Sequence, residues 1–100
     1  MSAHLYVMYP TPKDTSLFDR RYREEHLPYA GPRLVGATGV VSKRVLSPSA
    51  PFYAISDVVF PSMEALQKCA GSQGAKEALD HAASISTGGA PTVLVIADEP

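Results

Sequence analysis

The chain has no tryptophan and a single cysteine, Cys69, among its 100 residues. One cysteine excludes an intrachain disulfide framework and a cysteine-built zinc cluster. No apolar run approaches the roughly 20 residues that a membrane span requires. Neither sign of charge is in excess, because nine Lys and Arg stand against ten Asp and Glu, a formal net charge of −1. The nearest thing to a basic cluster is Lys43-Arg44. That is too little for a nucleic-acid surface or for an anionic membrane. The opening MSAHLYVMYP shows no charged leader or cleavage signature, so a cytoplasmic protein is expected. With no repeat, low-complexity tract or linker in sight, residues 1–100 are expected to form one domain.

What is present is a regular change of period. HLYVMY (His4 to Tyr9) is short, aromatic and β-rich, and Pro10 closes it as a strand. Asp14 can cap a helix over about Thr15 to His26, expected to stop where Leu27 precedes Pro28. ATGVVSKRVL (Ala37 to Leu46) reads as a more polar, edge-type strand. SPSAP is turn chemistry, and FYAISDVVF (Phe52 to Phe60) is a third strand. Ser62 caps a helix with Met63, Leu66 and Cys69. After a break at Gly71-Ser72, Ala75, Ala78, Leu79 and Ala82 make one apolar helical stripe. TGGAP turns into the last strand, TVLVIA (Thr92 to Ala97). The order β-α-β-β-α-β predicts an α+β, ferredoxin-like fold, with a four-stranded antiparallel sheet and helices on one face.

The other face then needs a cover. Tyr6 and Met8 in the first strand, and Leu94 and Ile96 in the last, are as apolar as the residues between them. A sheet with one wet face should alternate apolar and polar instead. The patch would exceed the roughly 300–600 Å² that a soluble monomer exposes. A homodimer through this open face, making a barrel-like interior, is the expected answer.

The charged helix FDRRYREEHLPY holds Phe18, Tyr22 and His26 at steps of four. Such steps drift by only about 40°, so the three share a face. His26 is open to two readings. It is either a cationic cap favoured by the helix dipole, or an acid–base group working near neutral pH. Asp57 is the one carboxylate in the third strand and is expected to share the open side with Tyr53, Ile55 and Val59. A carboxylate there is either bonded to neighbouring hydroxyls or turned toward a ligand. His4 lies on a strand with its side unassigned. His81 falls away from the alanine stripe and is expected in solvent. Cys69 reads as a small core residue, and Gly88-Gly89 as a turn. No histidine spacing suggests a metal.

Taken together, these residues resemble the EthD family, named for ethyl tert-butyl ether degradation, of the dimeric α+β barrel superfamily. The resemblance runs over nearly the whole chain. It is carried by Tyr9-Pro10, Pro12 and Asp14, then by Phe18, Tyr22, His26 and Pro28. Tyr53, Phe60 and Ser62 follow, and Gly88, Gly89 and Pro91 complete it. It implies a ferredoxin-like homodimer with a pocket between sheet and helices, and makes His26 the pocket residue. Asp57 occupies a position where the family often bears a longer glutamate. Two functions follow. One is an enzyme needing no metal or other cofactor, an isomerase, cyclase or oxygenase acting on a small, largely apolar, oxygenated metabolite. His26 would be its acid–base catalyst and Asp57 its partner, with Tyr22, Tyr53, Tyr9 and Phe18 lining the site. The other is a non-catalytic dimeric binding or accessory protein for a hydrophobic metabolite or a partner oxidase.

Overall fold

Three side chains, Asp14, Ser62 and Ser72, set where helices begin. The Asp14 carboxylate accepts the Leu17 N–H at 3.0 Å, and the Ser62 hydroxyl accepts the Ala65 N–H at 3.1 Å. Each satisfies a donor that the first helical turn leaves free. The computed structural model describes residues 2–98. Its elements are β1 (Ala3–Pro10), α1 (Thr15–Arg21), a π-helical turn (Tyr22–His26) and α2 (Leu27–Ala30). A 3₁₀ turn (Gly31–Arg33), β2 (Gly39–Arg44) and β3 (Phe52–Phe60) follow. Then come α3 (Met63–Ala70), α4 (Gln73–Ile85) and β4 (Thr92–Ala97). The sheet order is β2-β3-β1-β4 and every pair is antiparallel, which is the ferredoxin-like α+β arrangement.

The first helix does not stop at His26. It widens by one residue, so that the Leu27 N–H bonds the Tyr22 carbonyl, and it continues through α2 into the 3₁₀ turn. Proline 28 explains the widening. It has no N–H to give back to the previous turn, and a π-type ring lets the chain pass it without a break. Pro28 sits instead in the first turn of α2, where its missing donor costs nothing.

Helices cover one side of β1 and β3. Ala3, Leu5, Val7 and Tyr9 of β1, and Ala54, Ser56, Val58 and Phe60 of β3, are all buried beneath them. Ala75, Ala78, Ala82 and Ile85 close this core from α4. The helices do not reach β4. Val93 is 41% and Val95 56% exposed on the helix side, and Leu94 is 43% exposed on the other. The last strand therefore shows apolar side chains on both faces.

Tyr53 leaves the expected side. The β1–β3 register slips by one between Tyr9 and Pro10, so Tyr9 faces Ala54 while Pro10 faces Phe52. The irregularity leaves Tyr53 without a partner on β1 and turns it under the helices. Its ring packs edge-on against Phe18, and its hydroxyl bonds Asp19 of α1 at 3.0 Å. Gly88 and Gly89 form the turn before β4. A Cβ on Gly88 would run into the Thr11 carbonyl oxygen, and Gly89 has φ +136°.

Candidate functional site

The step-of-four stripe is a packed aromatic column. Phe18 stacks on Tyr22 at 5.8 Å, and Tyr22 leans on His26 at 5.8 Å. Tyr9 of β1 meets all three edge-on. An ordinary helix would carry His26 about 40° past Tyr22. The wider π turn offsets that advance and keeps the imidazole over the column. Turns of this kind occur often at functional sites.

Hydroxyls and imidazoles in the column form two hydrogen-bonded runs that adjoin at Ser56 and Tyr9. The Tyr22 hydroxyl lies 2.7 Å from Ser42 Oγ on β2 and 2.7 Å from Ser56 Oγ on β3. The Ser56 hydroxyl also acts on Tyr9. Tyr9 OH stands 3.4 Å from His26 Nε2, and His26 Nδ1 is 2.9 Å from His81 Nδ1. Beyond it, the half-buried His81 ring stacks on Tyr29 at 4.6 Å. The Arg33 guanidinium covers the other end of this stack, 3.7 Å from the Tyr29 ring centre. Arg33 is held in turn by Glu77, one helical turn before His81.

Burial governs the ionisation of these groups. It pushes the pKa of His26 down to about 4, with the neighbouring His81 adding to the effect. His26 is therefore neutral at physiological pH, and the reading of a cationic helix cap does not hold. The helix end that the dipole argument needed is not there. Burial raises the Tyr9 phenol well above its ordinary range; Tyr22 adds to the rise, and the Ser56 hydroxyl partly offsets it.

Two spaces adjoin the column. The larger, of about 330 Å³, opens between the first helix and the β2–β3 edge. Phe18, Tyr22, Leu27 and Ala54 line its apolar side, and Asp19, Arg23, Lys43 and Arg44 its polar rim. Its size lies at the lower end of the roughly 300–1,000 Å³ of small-molecule sites. His26 is not on its wall. It borders a second void of about 20 Å³, beside Leu27, Val40 and Ser56, with room for about one water molecule.

Asp57 is elsewhere. It faces the open side of the sheet, 4% exposed, with Oδ1 at 2.7 Å from His4 Nδ1 and Oδ2 at 3.1 Å from Lys43 Nζ. His4 reaches on to Asp98, and its pKa is raised, chiefly by the bond to Asp57. The expected pairing of Asp57 with His26 is thus not formed, because strand alternation puts the two on opposite faces. The open face carries this polar group among Tyr6, Met8, Ile55 and Leu94. His81, expected in solvent, is a partner of His26. Three residues from Ala78 and four from Ile85, both buried, its spacing already placed it beside the core. Ser56 alternates with Ala54 and Val58, which pointed its hydroxyl at the helices.

The fold and column describe a ferredoxin-like α+β protein with an aromatic cleft beside an internal polar chain. Solved structures of similar shape include EthD proteins. An EthD family protein from Bacillus halodurans C-125 superposes with a TM-score of 0.84 at 20% identity, over 99% of this chain and 100% of that one. An EthD-like protein from Ralstonia eutropha JMP134 gives 0.69 at 24% identity, over 95% and 89%. SnoaB, a cofactor-independent oxygenase from Streptomyces nogalater, gives 0.66 at 10% identity, over 99% and 94%. A further neighbour, from Jannaschia sp. CCS1, is described as a dimeric ferredoxin-like protein. Neither a protein-family model nor a curated protein matches the sequence. Among the described residues, no helix is long and apolar enough to cross a membrane.

Proposed function

We propose that the chain is a small-molecule enzyme of the isomerase, cyclase or cofactor-independent oxygenase type. Its substrate is a largely apolar, oxygenated metabolite held in the 330 Å³ cleft. The observation that carries this reading is the Tyr22 hydroxyl, fixed between Ser42 and Ser56 at the wall of that cleft. A phenol has one proton to donate and lone pairs to accept with. Held by two serines, it can present a donor to a carbonyl or enolate oxygen as negative charge develops there. His26 is the acid–base group behind it, reached through Ser56 and Tyr9. Phe18 supplies an apolar wall, Tyr53 steadies Asp19 on the rim, and Asp57 acts on the cleft through Lys43.

The working unit we infer is a homodimer paired through the open sheet face. Its support is the exposed apolar residues Val41 and Leu94 on that face, together with the dimeric neighbour. A non-catalytic binder is the second reading, favoured by the absence of His26 from the cleft wall. The test is mass spectrometry of small molecules that co-purify, followed by incubation of each with wild-type protein and with Tyr22→Phe. Conversion by the wild type and a loss of 100-fold or more in the variant are expected. Tight retention of an unchanged compound by both would favour the binder.

A further inference from the structure

Two imidazole nitrogens 2.9 Å apart share one hydrogen. Two lone pairs would repel at that distance, and two N–H groups would collide. The tautomers of His26 and His81 are therefore linked, and the state of one fixes the state of the other. At its other nitrogen, His26 meets the Tyr9 hydroxyl. A phenol gives its proton to an imidazole nitrogen more readily than it accepts one. With both rings neutral, Tyr9 donates to His26 Nε2, and His26 Nδ1–H donates to His81 Nδ1. His81 then carries its own proton on Nε2.

Protonated His81 has N–H on both nitrogens. Its Nδ1 must now donate to His26 Nδ1, which leaves the His26 proton on Nε2, facing Tyr9. The inner ring remains neutral throughout while its Nε2 changes from acceptor to donor. The positive charge rests on the outer ring, which is half-buried.

We infer that His81 is the positioning residue of this site: it takes the charge that His26 cannot hold and thereby sets whether His26 Nε2 acts as base or acid. This rests on the reading of His26 as the acid–base group. The proton balance is simple. A proton leaves the substrate and, through the hydroxyls, arrives at His26 Nε2. The His26 Nδ1–H bond breaks and a His81 Nδ1–H bond forms. The substrate keeps the electron pair as an enolate, and His81 becomes imidazolium. The reverse transfer returns the proton.

The physical motive is burial. His26 has its pKa lowered by desolvation, so on its own it is a weak base. Moving the charge by one ring removes that penalty. The groups around His81 weigh on both sides. Arg33, beyond the Tyr29 ring, opposes a second cation, as does Lys76 on α4. Glu77 and Asp80 on α4 favour it, although Glu77 is engaged by Arg33 and Asp80 by Lys76. From the column, Tyr9 and Tyr22 face the pair as neutral phenols.

The experiment follows imidazole ¹⁵N resonances of the whole protein, with no substrate present, as pH is lowered from neutrality. The expected result is that His26 Nε2 passes from the unprotonated to the protonated region in step with His81, while the ring gains no net charge. His81→Phe keeps the stack on Tyr29 and should abolish the step. His81→Gln serves the same purpose if the phenylalanine variant does not fold. A His26 Nε2 signal that is unchanged while His81 titrates would overturn the inference, and the wild-type titration decides this alone. A protein that shows the step but converts no compound keeps the inference and loses the catalytic reading. One that converts a compound without the step does the reverse.

Discussion

His4 Nδ1 lies 2.7 Å from Asp57 Oδ1, on the sheet face opposite the one that holds His26. Asp57 also takes Lys43 at 3.1 Å, so a single nearly buried carboxylate serves an imidazole and an ammonium. Replacing Asp57 with Ala leaves Lys43 without its carboxylate and His4 with only the exposed Asp98. Removing one partner of a nearly buried pair destabilises, and solvent around Lys43 and His4 screens part of the loss. Urea unfolding at pH 6 should show a lower midpoint for the variant. The His4 titration, followed by NMR, should fall back toward its ordinary value.

His26 and His4 give stability opposite slopes with pH. His26 has a folded pKa near 4, below the 6.5 of an unfolded histidine. The unfolded chain thus binds more protons, and stability falls as pH drops from 6.5 toward 4. After screening, the loss is on the order of 2 kcal/mol. His4 has a raised folded pKa. Its contribution is full below pH 6.5 and fades as pH climbs through the raised value. Thermal unfolding across pH should therefore show a maximum near neutrality. In His26→Phe the acid side of that curve should flatten.

Tyr22→Phe removes a hydroxyl and leaves Ser42 and Ser56 with one partner fewer each. Ser42 is exposed and turns to water, whereas Ser56 is buried. The expected cost is about 1–2 kcal/mol. Chemical denaturation measures it, and near-ultraviolet circular dichroism should show the aromatic column otherwise intact.

These predictions draw on residues that the sequence placed unequally. The Asp14 and Ser62 caps, all four strands and the edge character of β2 were legible, because apolar period and capping chemistry are local. Phe18, Tyr22 and His26 were legible as one face for the same reason. The end of the first helix was not. A proline after a leucine reads as a stop, and only the neighbouring turn decides whether the ring can widen to let it pass. Tyr53 misled for a related reason, since strand alternation holds until a register slip, and that slip is set by β1. The His26–His81 contact joins residues 55 apart, so no local pattern announces it.

The exposed apolar residues of β4 make the pairing testable. Val95→Asp and Leu94→Lys place charges on opposite sides of the strand, at positions 56% and 43% exposed in one chain. An exposed position tolerates a charge with little change in folding, whereas an interface does not. Sedimentation at micromolar concentration should show a dimer for the wild type and a mass near 10.7 kDa for Leu94→Lys. A Val95→Asp protein that stays dimeric would confine the contact to the open side.

The ring between Tyr22 and Leu27 holds one residue more than an α turn, and it holds it locally. Deleting Arg23 would close that ring to the ordinary α count. Leu27 and all that follows would then turn by a few tens of degrees, not by the roughly 100° that a deletion imposes on a regular helix. A shortened variant should therefore fold with α2 still docked on α4, and the bulge is a place where the chain absorbs a change of length without disturbing what lies downstream.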